Sequence, residues 1–310
     1  MYNVIVKNME GDYFKMKRFL KAALAFAMVA TLATGCGAKA NYTKVGLGVT
    51  SSYSEGQVNT TFVALGLDSD GKIAYIDLDV AQSTPGATDG SELTATKEER
   101  GTDYGMTVAS AIGKEWYEQA EAFETYCKGK TVEEVLNVET MDYHGGKAPA
   151  EGTDLAAGCT VVIDAFLAAV EAANANAVEV EADSIVLGRN MSNDSEAKKL
   201  NTDLVLLAKD SDGKVVYAKW DVAQIYEGVT ATKSELKEDY GMTVASPIGK
   251  EWYEQAAAFE AYCEGKTVEE IQAVETMDYH GGKAAAEGTD LAAGCTITLD
   301  GPLAAIAKAK

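Results

Sequence analysis

The sequence is poor in histidine, in basic residues and in long apolar runs, and each shortage narrows what the protein can do. Its two histidines, His144 and His280, leave little room for a histidine-rich metal centre. No Cys-x-x-Cys-His run is present, so there is no c-type haem attachment site. Lysine and arginine number 27 against 48 acids, a formal charge of −21. Phosphate contacts need cations, so this balance argues against a nucleic-acid binder and against a polybasic membrane-surface binder. The carboxylates are dispersed, and no acid/base pair stands out. What is there is globular: 47% hydrophobic and 24% charged residues, in a length with room for two ordinary domains.

The first 35 residues read as a secretory signal. Lys17-Arg18-Phe19-Leu20-Lys21 is a basic n-region, and Ala22 to Leu32 is an apolar run too short to span a bilayer. Glu10 and Asp12 do not suit an n-region, which points to Met16 as the true start. Small residues then lead to a cysteine, Leu32-Ala33-Thr34-Gly35-Cys36, which resembles a bacterial lipobox. That resemblance implies a lipidated Cys36, a tether over residues 36–43, and a protein held by its lipid on the extracellular face of the cytoplasmic membrane.

The remainder is a duplication. Asp103–Thr160 reads against Asp239–Thr296 at a constant offset, with 50 of 58 positions identical. Upstream, Asp-Ser-Asp-Gly-Lys at 68 recurs at 210, and Asp-Val-Ala-Gln at 79 recurs at 221. The period is far longer than that of a solenoid. It predicts two tandem homologous domains, residues 44–175 and 176–310, joined at the Ala/Asn run 172–177.

Within each copy, apolar runs flank an Asp-Gly turn and predict a hairpin, over 61–78 and again over 204–217. Trp116, Ala120, Phe123 and Cys127 fall on one face of a predicted helix that Gly129 ends. Thr131 and Glu134 form a capping box for a second helix. A loop rich in Gly, Asp and His follows. Thr160–Ile163 and Thr296–Leu299 read as short strands, with Asp164 and Asp300 capping the terminal helices and Pro302 in a first turn. The expected class is α+β, each domain a small antiparallel sheet packed by two or three helices.

Asp154-Leu155-Ala156-Ala157-Gly158-Cys159-Thr160 recurs as Asp290 to Thr296. This segment resembles the FMN-binding domain family, in which an aspartate precedes Ser/Thr-Gly-Ala-Thr and the last threonine carries FMN through a phosphoester made by a flavin transferase. Asp154, Gly158 and Thr160 match, as do Asp290, Gly294 and Thr296. Ala157 and Ala293 depart from the usual Ser/Thr, and Cys159 and Cys295 replace alanine. The glycine is expected to let a phosphate approach the backbone.

With the lipobox and the duplication, the chain resembles Gram-positive flavin lipoproteins of extracellular electron transfer. That resemblance implies a redox carrier more than a turnover enzyme, with two covalent FMN groups, a membrane electron donor and an extracellular acceptor. The alternatives are a non-redox duplicated surface-binding lipoprotein and an extracellular flavin reductase. An apolar, aromatic wall suits a flavin ring. The candidates are Tyr104, Met106, Trp116 and Tyr143, with Tyr240, Met242, Trp252 and Tyr279 in the second copy. His144 and His280 read as loop hydrogen-bonders, and Gly86-Ala87-Thr88 as a surface loop. Cys127 with Cys159, and Cys263 with Cys295, are either disulfides of an exported protein or buried thiols.

Overall fold

Three long strands open the first copy: β1 (Tyr42–Ser54), β2 (Gln57–Leu67) and β3 (Ile73–Ser83), an antiparallel meander. The computed structural model describes residues 42–309; the signal segment, Met16 and Cys36 lie outside them. The β2–β3 turn forms because the Asp68 carboxylate accepts the amides of Asp70 and Lys72, both at 2.9 Å, and Gly71 takes the left-handed conformation. After β3 come α1 (Lys97–Arg100), α2 (Trp116–Cys127), α3 (Val132–Leu136), β4 (Thr140–Tyr143), β5 (Gly146–Pro149), α4 (Asp164–Ala175) and β6 (Val178–Ala182).

The second copy repeats the pattern. It runs β7 (Ser184–Asp194), β8 (Lys199–Lys209), β9 (Val215–Ile225), α5 (Lys233–Leu236), α6 (Trp252–Cys263), α7 (Val268–Gln272), β10 (Thr276–Tyr279), β11 (Gly282–Ala285) and α8 (Asp300–Ala307). The fold is α+β, with small antiparallel sheets packed against helices.

The two main sheets meet face to face. Val45, Phe62 and Ala64 of the first interlock with Leu187, Leu204 and Leu206 of the second. The opposite faces carry the helices: Val63, Leu65 and Leu78 meet Phe123 and Phe166, and Val205, Leu207 and Trp220 meet Trp252 and Phe259. The strands are therefore apolar on both sides, which is why β2 and β8 read as continuous apolar runs. Helix and sheet approach so closely that a Cβ on Gly48 would sit 2.0 Å from the Ala169 carbonyl oxygen, and one on Gly188 2.2 Å from that of Ala305.

Several expectations change. β1 and β7 were not anticipated. β6 lies beyond the expected boundary at 175/176, yet it pairs with β1 (Val45 opposite Val178) and completes the first copy's sheet. Thr160–Ile163 and Thr296–Leu299 are not strands; Ile163 and Leu299 each donate one amide, to Lys147 and Lys283, and plug the core. Asp164 and Asp300 are the first helical residues rather than caps, and their carboxylates accept the Lys147 and Lys283 amides at 2.6 Å. The Gly/Asp/His loop is a tight hairpin, β4–β5, with His144 and Gly145 at positive φ. The two capping features hold: Thr131 and Glu134 box α3, and Gly129 follows α2 at φ 81°.

One charged cluster lies between the sheets. Arg189 of β7, 4% exposed, donates to both Asp77 oxygens, to Asp79 at 2.9 Å and to Glu98 at 2.6 Å. Arg189→Ala would strand those carboxylates, and we expect a loss of about 3–5 kcal/mol in denaturant unfolding.

Glu124 of α2 makes no ion pair among the described residues. It accepts the Leu78 amide at 2.7 Å, and burial pushes its pKa to about 7, Asp77 adding to the rise. The unfolded chain ionises this group from its ordinary value upward while the folded chain keeps the proton. The stabilisation is therefore complete at acid pH and is lost as pH rises to about 7. Glu124→Gln should accordingly raise the melting temperature at pH 8 and leave it little changed near pH 4.

Candidate functional site

Thr160 sits where a short 3-10 turn, Leu155–Ala157, delivers the chain to α2. Thr153 sets the turn: its hydroxyl donates to the Ala150 carbonyl at 2.7 Å and accepts the Ala156 amide. Gly158 then passes under the helix so closely that a Cβ there would lie 2.7 Å from Cβ of Ala122; Gly294 meets Ala258 in the same way. The glycine thus serves helix packing as well.

Gln119, fully buried on α2, orients the threonine. Its Oε1 accepts both the Thr160 amide at 2.8 Å and the Thr160 hydroxyl at 3.2 Å. Its amide group donates to Ser110 Oγ and to the Lys114 carbonyl. The second copy repeats this with Gln255, Thr296 (2.8 and 3.0 Å), Ser246 and Lys250. The hydroxyl proton is committed to the glutamine, which leaves the oxygen's lone pairs to face outward. Lys114 Nζ lies 3.8 Å from the Cβ position of Gly158, a cation beside the turn. Sequence reasoning missed Gln119 and Gln255; a glutamine three residues after a core tryptophan, inside a helix's apolar stripe, was the available signal.

Each threonine opens on a cavity. In the first copy about 510 Å³ is enclosed by Met141, Tyr143, Pro149, Asp154, Ala157 and Thr160. In the second about 550 Å³ is enclosed by Pro247, Met277, Tyr279, Asp290, Ala293 and Thr296. Asp154 and Asp290 are exposed on these walls. Cys159 and Cys295 are fully buried and face the core instead.

A further cavity of about 610 Å³ shares Tyr279 and brings together all four aromatic and methionine candidates of the second copy, Tyr240, Met242, Trp252 and Tyr279. Trp220 joins them, its ring 5.0 Å from Trp252, and its indole N–H donates to buried Asp203 at 3.1 Å. Burial lifts the Asp203 pKa to about 6 against that bond and the Lys233 charge. Lys233 lies over the rings of Tyr240 and Trp252. In the first copy Lys97 lies over Tyr104 and Trp116, and burial lowers its pKa to about 8.

His144 and His280 are exposed at hairpin turns, stacked edge-on against Tyr143 and Tyr279. Among the described residues no group of histidine, cysteine and carboxylate side chains could hold a metal. Gly86-Ala87-Thr88 lies in a bend-rich loop.

No family model matches the chain, and no solved structure matches it. A curated relative, chlorophenol reductase of Desulfitobacterium hafniense, is 33% identical over 116 residues, which cover 29% of this chain and 36% of that protein. The chain thus spans about a third of the length of the curated relative it matches.

The four cysteines of the described residues are free and fully buried. Burial raises every thiol's pKa: Cys159 to about 11, Cys263 and Cys295 to about 12, and Cys127 further still. Titration of denatured, unreduced protein should find these four thiols reactive; two or four blocked ones would mean bridges.

Proposed function

We propose that the chain is an exported, lipid-anchored electron carrier with FMN joined through its phosphate to Thr160 and Thr296. The observation that supports this most is the duplicated turn, which in both copies sets a threonine hydroxyl at the lip of an apolar cavity with its proton held by a buried glutamine. The residues present fit such a group. The cavities are of ordinary ligand size, and methionine and aromatic walls offer faces for a ring. Bound FMN would supply reversible electron uptake. The protein's part is to fix the hydroxyl, to bury the ring's apolar surface and to keep the threonine's backbone rigid on α2 and α6.

In this reading a flavin transferase loads the protein, a membrane donor reduces it and an extracellular acceptor oxidises it. The lipid on Cys36 keeps it at the membrane's outer face, where the acidic surface keeps it solvated and favours small or positively charged partners. A second reading, a reductase acting on a small acceptor, is favoured by the partial likeness to chlorophenol reductase. Turnover of an acceptor by the purified protein alone would favour that second reading.

Coexpression with a flavin transferase, followed by denaturing electrophoresis under ultraviolet light, checks the attachment. We expect a fluorescent band that loses about half its intensity in Thr160→Ala and all of it with Thr296→Ala added. A dark wild-type band, or fluorescence that survives in the double variant, would reject attachment at these threonines.

A further inference from the structure

The duplication makes the Arg189 cluster comparable with its counterpart in the other copy. Leu187-Gly188-Arg189 of β7 corresponds to Leu47-Gly48-Val49 of β1, since Gly48 and Gly188 each lie under a carbonyl of the copy's terminal helix. Asp79 corresponds to Asp221 in the repeated Asp-Val-Ala-Gln run. Both aspartates are buried and held alike. Asp79 Oδ1 accepts the Val80 and Glu98 amides at 2.7 and 3.0 Å, and Asp221 Oδ1 accepts the Val222 and Ser234 amides at 2.7 and 3.1 Å. Asp79 then receives the Arg189 guanidinium, whereas Asp221 makes no ion pair among the described residues.

Where the arginine's counterpart is Val49, the fold leaves a solvent-open cavity of about 570 Å³. Its walls include Leu47, Val49 and Tyr217, with Asp221 at 7% exposure. Ser234 also lines it, and its hydroxyl oxygen is buried with no hydrogen-bond partner among the described residues. Glu235 and Glu260 add carboxylates; Lys219 and Lys237 add ammonium groups, of which Lys219 is tied to Glu260 at 2.9 Å. Asn176, at the C-terminal end of α4, brings the negative end of a helix dipole to the same cavity.

We propose that this cavity binds a small alkylguanidinium compound, its head on Asp221 and Ser234 and its alkyl arm along Leu47, Val49 and Tyr217. In the first copy such a head is shared among Asp77, Asp79 and Glu98; the second copy keeps the central aspartate as Asp221 and has Ser234 and Lys219 in the other two places. A buried carboxylate that makes no ion pair among the described residues favours a cation, Asp221, Glu235 and Glu260 outnumber Lys219 and Lys237 in the lining, and the apolar and aromatic walls favour an organic cation over a metal ion. The site is separate from Thr160 and Thr296, and its existence does not depend on flavin attachment.

Calorimetric titration with agmatine tests this, with putrescine and L-glutamate as comparisons. We expect one-to-one saturable binding of agmatine, weaker binding of putrescine and none of glutamate. Asp221→Asn should weaken agmatine binding by about tenfold or more. Val49→Arg should abolish it by filling the cavity from within, and should raise the melting temperature. If Val49→Arg does not fold, Asp221→Asn still decides. No binding of agmatine at millimolar concentration, equal binding of putrescine, or wild-type affinity in Asp221→Asn would overturn the proposal.

Discussion

The packing of one copy's sheet on the other is the constraint from which the rest follows. Once Phe62, Leu187 and Leu204 are buried between the sheets, each copy has one sheet face left for its helices. Those helices must then carry the site. α2 and α6 bury Trp116 and Phe123, or Trp252 and Phe259, against the outer faces, and the same stripe places Gln119 and Gln255 beneath the threonines. Stability and site geometry are thus set by one pair of helices. Arg189 adds a requirement of its own, because it belongs to the second copy and the carboxylates it gathers, Asp77, Asp79 and Glu98, all belong to the first.

Near-identity of sequence does not make the two copies equal. Where the first has Thr61 and Leu78, the second has Asp203 and Trp220, joined by a hydrogen bond in a cavity of aromatic residues. Where the first presents Asp77 to an arginine, the second presents Lys219 to Glu260. These differences lie on the strands, outside the segment where the copies agree most closely. The divergence therefore falls on what surrounds each site, while the turn, the glutamine and the threonine stay the same.

Much of this was legible in the sequence, because it rests on local physics. The hairpin at Asp68–Gly71, the helix from Trp116 to Cys127 and the capping box of Thr131 each depend on residues a few positions apart. The α+β class followed from them. What escaped depended on distant partners. β1 gains its meaning from pairing with β2 and β6, and Thr160–Ile163 reads as a strand until no neighbouring strand is found for it. Gly158 signals a close approach in either reading; only the fold shows that Ala122 makes it. The same holds for the site. Asp154 and Thr160 could be named from the resemblance to the FMN-binding domain family, and Tyr240, Met242, Trp252 and Tyr279 from their chemistry. The hydrogen bond from Thr160 to Gln119 spans 41 residues, and its only local sign is a glutamine within the apolar stripe of a helix.

The central claim is that two folded turns hold two threonines ready for the same modification. Peptide mass spectrometry of the full protein, made alongside a flavin transferase and digested under mild conditions, tests it most directly. The account requires the mass of FMN, less water, on the peptides that contain Thr160 and Thr296. Both peptides found unmodified, or flavin found on another residue, would contradict it.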